Sequence, residues 1–136
     1  MIDRLMPKAG GSMVGISSLG SQIALPVYTA VGVSKAALES LTRYLAVELG
    51  PRGIKVNAVS AGAVQSENLM RYGGDLPVPQ ITETPAGRMV LGEDIANLVA
   101  FLCSDDAAMI CGQVVIIDGG TSISWGSSQK GVNLEQ

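Results

Sequence analysis

The sequence predicts an α/β fold, a parallel sheet with helices on both faces, and three observations carry that expectation. Strand-like and helical segments alternate along the chain, as strand, helix, strand, helix, strand. The connections between them have the length of βαβ crossovers, which predicts right-handed units. The composition is 47% hydrophobic but only 4% aromatic, so the chain is apolar through Ala, Val, Ile and Leu, as a buried α/β sheet requires.

The elements follow in order. Residues Met1 to Lys8 have helical character without a cap, and Ala9-Gly10-Gly11 breaks them off. Ser12 to Ser17 reads as a strand that closes on Ser17-Ser18. From Tyr28 to Leu49, the apolar residues Val31, Leu38, Leu41, Leu45 and Leu49 recur at three- and four-residue spacing, which predicts a long helix. Gly50-Pro51-Arg52-Gly53 ends it, because glycine can take the left-handed cap and proline cannot continue the helix. Ile54 to Ser60 is a β-rich run, and Ala61-Gly62-Ala63 predicts a tight turn whose backbone N–H groups can approach a ligand. Residues 65 to 87 hold Gly73-Gly74 and three prolines, the signature of an irregular excursion and a candidate lid. Glu93 and Asp94 suit the first turn of a helix running to about Cys103. Gln113 to Ile117 is an unbroken apolar strand closed by Asp118-Gly119-Gly120.

A chain of 136 residues supports one core. Its net charge of −3 and lack of a dense basic cluster argue against nucleic acid as a partner. No apolar run reaches the roughly 18 residues of a membrane span, and Met1-Ile2-Asp3-Arg4 does not open a signal peptide. The expectation is a cytoplasmic protein with no membrane partner. Cys103 and Cys111 sit in or beside apolar segments. With no histidine in the chain, they can build neither a zinc cluster nor a Cys/His nucleophile, so both read as buried small hydrophobes and no metal is expected.

Without histidine, proton chemistry near neutral pH falls to a Tyr, Lys, Cys or carboxylate whose neighbours tune it. Tyr28 and Lys35 are seven residues apart, close to two helical turns, so they share a face about 10 Å apart along the axis. A lysine there lowers a phenol's pKa and makes it a better proton donor. Tyr44 falls on the opposite face and Tyr72 in the irregular region.

This pair follows a strand ending in Ser17-Ser18 and precedes a strand reading Val56-Asn57-Ala58-Val59-Ser60-Ala61-Gly62. The order resembles the C-terminal half of the short-chain dehydrogenase/reductase family, from about residue 5 to Gly120, with Gly112-Gln113 to Asp118-Gly119-Gly120 similar to the family's last strand. The resemblance implies half of a doubly wound, Rossmann-like sheet, with residues 1–121 as a partial reductase domain, while the small, polar composition of 122–136 predicts a loosely ordered tail. Two departures narrow it. Val31 stands where most of the family has its tyrosine, four residues before the lysine, and Ala61 stands where the family usually has proline. Tyr28-Thr-Ala-Val-Gly-Val-Ser-Lys35, with Thr84-Pro85-Ala86-Gly87-Arg88-Met89, is most similar to the NADPH-dependent type III enoyl-acyl-carrier-protein reductases.

That resemblance implies Tyr28, Lys35 and Ser18 as catalytic residues. Tyr28 would bond the thioester carbonyl oxygen, Lys35 the nicotinamide ribose, and Ser18 would be a secondary donor. Gly62, Ala63 and Val64 would lie beside the nicotinamide carboxamide of NADPH, with NADH possible. Ser17 is read as satisfying backbone groups at the strand end. The implied substrate is an enoyl thioester on acyl carrier protein, in fatty acid synthesis. The alternatives are a ketone or alcohol dehydrogenase of the same family and a catalytically silent oligomerisation module. No strand–Gly-x-Gly-x-x-Gly–helix unit occurs, and Gly10-Gly11-Ser-Met-Val-Gly15 precedes a strand instead of following one. The chain is therefore expected to supply only the nicotinamide side of a site. Its first strand should present an open edge, and a homo-oligomer built through the closing strand and the long helix is expected.

Overall fold

The computed structural model describes residues 10–67 and 84–124. The expected helix before Lys8, most of the excursion after Gln65, Tyr72, and the tail beyond Ser124 lie outside the described residues. The rest forms strand β1 (Gly11–Ser18), helix α1 (Thr29–Leu49), strand β2 (Ile54–Ala61), helix α2 (Gly92–Cys103) and strand β3 (Val114–Ile117). The sheet is parallel throughout in the order β1-β2-β3. Among the described residues β1 pairs only with β2.

The central strand explains the two layers. Its even residues Ile54 and Val56 join Ala46 and Leu49 of α1 in the core, with Met13, Leu45 and Cys111 packed around them. Its odd residues point the other way. Lys55 Nζ donates to the carbonyls of Ser104 and Ala107 just beyond α2, at 2.6 and 3.4 Å. Asn57 donates to the Ile110 carbonyl at 2.7 Å and accepts from the Gln113 N–H at 3.0 Å. These bonds satisfy polar groups that burial would otherwise penalise. The helices thus cover opposite faces.

One expectation needs correction here. Both crossovers step in the same direction across the sheet, yet their helices lie on opposite faces, so the two have opposite hand. Only one of them can obey the right-handed rule.

The leucine pattern of α1 needs correction too. The residues it buries are Gly32, Glu39, Thr42, Ala46 and Leu49, a stripe at the spacing of one helical face. Val31 and Leu41 are exposed, and Leu38 and Leu45 only half-buried. Small and polar residues hold the sheet-facing stripe because the helix lies close to β1: a Cβ on Gly15 would already press on the Leu38 side chain at 3.3 Å. The opposite face of α1 leaves Val33, Leu41, Tyr44 and Val47 exposed, an apolar patch on the solvent side.

Helix α1 runs into a 3-10 turn at Gly50–Arg52, and Gly53 beyond it takes the left-handed conformation with φ of 71°. The left-handed glycine that the sequence requires is therefore the second of the pair. The cysteine reading also changes, since Cys103 is exposed and Cys111 is partly buried. Cys103 closes α2 on the solvent side, while Leu102 fills the core. No helix among the described residues is long and apolar enough to cross a membrane.

Candidate active site

At the carboxyl end of β1 the chain turns through a short 3-10 segment, Leu19–Ser21, before α1 begins. Ser18 caps that turn: its hydroxyl accepts the Gly20 N–H at 3.3 Å. Tyr28 stands at the N-cap of α1, and its phenolic O–H donates to Ser18 Oγ at 3.3 Å, a long contact for two hydroxyls. The structure thus joins Tyr28 and Ser18, the two hydroxyls expected to work together.

Two glycines make this meeting possible. A Cβ on Gly20 would overlap the Tyr28 ring, and one on Gly32 would come 2.6 Å from the Gly20 carbonyl oxygen. Glycine at both positions lets the ring lie over the turn and the helix lie against it. Immediately before the tyrosine, Val27 has a φ of 53°. A β-branched residue rarely enters the left-handed region, so the backbone delivering Tyr28 is strained.

Lys35, half-buried two turns along the same face, donates from Nζ to the Ile16 carbonyl at 2.8 Å. Its amine is held at β1 and not at the phenol. Ser17 departs from expectation in a different way. It is buried, and its hydroxyl donates at 2.6 Å to Glu39 Oε1 instead of to a backbone group. Ser21 donates to the same oxygen, also at 2.6 Å. Sequence reasoning missed Glu39, although its place was legible: eleven residues after Tyr28 and four after Lys35, it falls on their helical face. Next to Ser17 in the sheet, Ser60 is fully buried with no hydrogen-bond partner for its hydroxyl.

The end of β2 is built from backbone. The Gly62 N–H donates to the Ile117 carbonyl at 3.0 Å, and a Cβ on Gly62 would come 2.8 Å from Asp118 Cβ. Glycine is needed here for close approach between strand ends, and its N–H serves the sheet rather than a ligand. Ala63 follows half-buried, Val64 forms a parallel bridge with Val90, and the Gln65 N–H reaches the Val90 carbonyl at 2.8 Å. Beyond β3, Asp118 accepts the N–H groups of Gly120 and Ser122 at 2.8 and 2.6 Å. Burial pushes its carboxyl up, but the hydrogen bonds from Ser122 and Gly120 outweigh this and hold it below the ordinary range. At the start of α2, Asp94 takes two bonds from the Arg88 guanidinium, at 2.6 and 2.8 Å, and one from the Leu91 N–H at 2.8 Å. These bonds lower its carboxyl from 3.8 to about 2.

Ser18, Tyr28, Lys35 and the Gly62–Val64 turn all stand at the carboxyl ends of parallel strands, where open α/β sheets bind their ligands. The sequence contains no Gly-x-Gly-x-x-Gly stretch. Such a fold and arrangement are those of the short-chain dehydrogenase/reductase class.

A family model described as enoyl-(acyl carrier protein) reductase matches residues 1–122. The chain belongs to that family of short-chain dehydrogenases/reductases. It is 40% identical over 124 residues to the enoyl-acyl-carrier-protein reductase (NADH) FabI of Salmonella typhimurium, covering 89% of this chain and 47% of that protein. It is 42% identical over 118 residues to 1-cyclohexenylcarbonyl-CoA reductase of Streptomyces collinus, covering 84% and 42%. A short-chain dehydrogenase/reductase structure from Mycobacterium ulcerans superposes with a TM-score of 0.77 at 34% identity, covering 87% of this chain and 44% of that one. The chain therefore spans about half the length of the curated relatives it matches.

Proposed function

We propose that this chain carries the substrate and nicotinamide side of a reductase that saturates the C=C bond of an enoyl thioester, the thioester being held on acyl carrier protein. The observation that carries the reading is the meeting of the Tyr28 and Ser18 hydroxyls at the carboxyl end of β1, with Lys35 on the same helical face. The names of two relatives, an enoyl-acyl-carrier-protein reductase and a cyclohexenylcarbonyl-CoA reductase, support this substrate chemistry.

A reduced nicotinamide, when bound, supplies a hydride. The chain's own residues receive the charge that results. As the hydride adds to the β-carbon, Tyr28 donates to the thioester carbonyl oxygen and stabilises it as it becomes enolate-like, and a proton from solvent on the α-carbon then restores the thioester and completes the saturated bond. Ser18 orients the phenol and is the second donor within reach. Lys35 keeps one N–H on the Ile16 carbonyl and has two more for ribose hydroxyls. The backbone of Ala63 and Val64 flanks the carboxamide, and Gly62 sets the spacing. NADPH and NADH remain the two candidates, since residues that read the extra phosphate belong to the dinucleotide-binding half; the FabI relative is named for NADH. Self-association through the exposed apolar face of α1 and a cytoplasmic location complete the reading.

The test is reduction of a crotonyl thioester by the protein expressed with whatever coding sequence precedes this chain in frame. NADPH and NADH are compared, with a simple ketone as the competing substrate. Tyr28→Phe should lower kcat about 10²- to 10³-fold, the effect of removing one oxyanion donor. Turnover of the ketone but not the thioester would select the alcohol-dehydrogenase alternative, and undiminished turnover by the phenylalanine variant would remove Tyr28 from the mechanism.

A further inference from the structure

We propose that Glu39 is a positioning residue for the Ser18–Tyr28 pair, acting through Ser17 and Ser21. This inference rests on the functional reading of that pair.

Two hydroxyls converge on one carboxylate oxygen. Ser17 and Ser21 each donate to Glu39 Oε1 at 2.6 Å, the short distance typical of a hydroxyl bonded to a carboxylate. The donors bracket the site: Ser17 is the residue before Ser18, and Ser21 closes the 3-10 turn that Ser18 caps. One side chain of α1 thereby holds the end of β1 and the far end of the turn. Because successive strand residues point to opposite faces, pinning Ser17 toward α1 also fixes the direction in which Ser18 leaves the strand. The turn carries Gly20, on which the Tyr28 ring lies. The carboxylate therefore fixes the phenol from below and its hydroxyl partner from beside it.

Packing does not require a glutamate here. Its residue is only 6% exposed, and a buried carboxylate is costly enough that an apolar residue of similar size often serves stability as well or better. The neighbouring Thr42 provides the contrast. It is equally buried on the same helix face, but its hydroxyl bonds only the Leu38 carbonyl one turn back. Thr42 serves the helix, whereas Glu39 ties together three separate pieces of chain.

The experiment compares Glu39→Leu, Glu39→Gln and Thr42→Val in the full chain, reading the NMR signal of ring-labelled Tyr28 together with thermal stability. Glu39→Leu should shift the Tyr28 signal as the Ser18 contact is lost. Glu39→Gln, whose amide oxygen can accept both hydroxyls, should restore it. Thr42→Val should leave it in place whatever it does to stability. In the cofactor-competent protein, Glu39→Leu should lower kcat about 10²-fold, the scale of a 1 Å misplacement, with KM for the thioester little changed and most of kcat recovered by Glu39→Gln. A Tyr28 signal unmoved by Glu39→Leu, or moved equally by Thr42→Val, would overturn the proposal. If Glu39→Leu fails to fold, Ser17→Ala and Ser21→Ala test the same link one donor at a time, and a Tyr28 signal unmoved in both would equally refute it. Absence of thioester turnover in the wild type would instead strike the functional reading, while the Tyr28 comparison still decides the role of Glu39.

Discussion

The two ends of the candidate site are built by different means. At the end of β1, side chains do the holding: Tyr28 meets Ser18, Ser17 and Ser21 meet Glu39, and Lys35 meets Ile16. At the ends of β2 and β3, backbone groups do most of it, through Gly62 to Ile117, Gln65 to Val90 and the two N–H groups on Asp118. The first region is specified by side-chain chemistry and is intolerant of small changes in position. The second is specified by close approach and hydrogen-bond count, and substitutions there should act mainly on stability.

The sharpest way to break this contrast is Gly32→Ala. The added Cβ must displace the Gly20 carbonyl, pushing α1 away from the turn and Tyr28 away from Ser18. A loss of about 10²-fold in kcat is expected for misplacement on this scale, with a cost of about 1–3 kcal/mol for overpacking; steady-state kinetics and urea denaturation measure the two. Asp118→Ala should show the opposite balance. It leaves the Gly120 and Ser122 N–H groups without their acceptor, at a cost of about 1–3 kcal/mol, and should not move the Tyr28 signal. A large shift of that signal in Asp118→Ala would mean the two regions are not separable.

The smallest effect is the acid response of the Arg88–Asp94 clasp. Asp94 titrates lower in the folded chain than in the unfolded one, so its contribution is fully present above the unfolded value of 3.8 and is lost as pH falls toward about 2. Arg88→Gln should remove the Arg88 part of that response, leaving the share due to the Leu91 N–H. Thermal melts of both proteins between pH 5 and 2 compare them. Because the pair is solvent-exposed, added salt should also weaken it.

Much of the frame was legible in the sequence because it rests on local signals. The strands β1, β2 and β3 and the helices α1 and α2 fall within a residue or so of where apolar runs, glycines and acidic first-turn residues predict them. What failed depended on tertiary placement. Leu38, Leu45 and Leu49 of α1 do turn toward β1 or the core, but Val31 and Leu41 face solvent, and only packing against β1 shows that Gly32, Glu39, Thr42 and Ala46 complete the buried stripe. Cys103 reads as a core residue beside Leu102, yet neighbours on a helix point about 100° apart, and only one of them can face inward. The Tyr28–Lys35 spacing was readable, whereas the bonds from Ser17 and Ser21 to Glu39 span 22 and 18 residues and no local pattern announces them.

The opposite hands of the two crossovers carry a consequence for how the molecule responds to change. With α1 on one face and α2 on the other, both packed on β1 and β2, those two strands stand between the helices, and a disturbance in one layer reaches the other through them. Energetic effects in the two layers should then simply add. A double-mutant cycle between Glu39 and Asp94, one beneath the phenol and one at the head of α2, is expected to give a coupling no larger than about 0.5 kcal/mol. In evolutionary terms, the layer that carries α2 can drift without dragging the tyrosine with it only so long as β1 keeps its place.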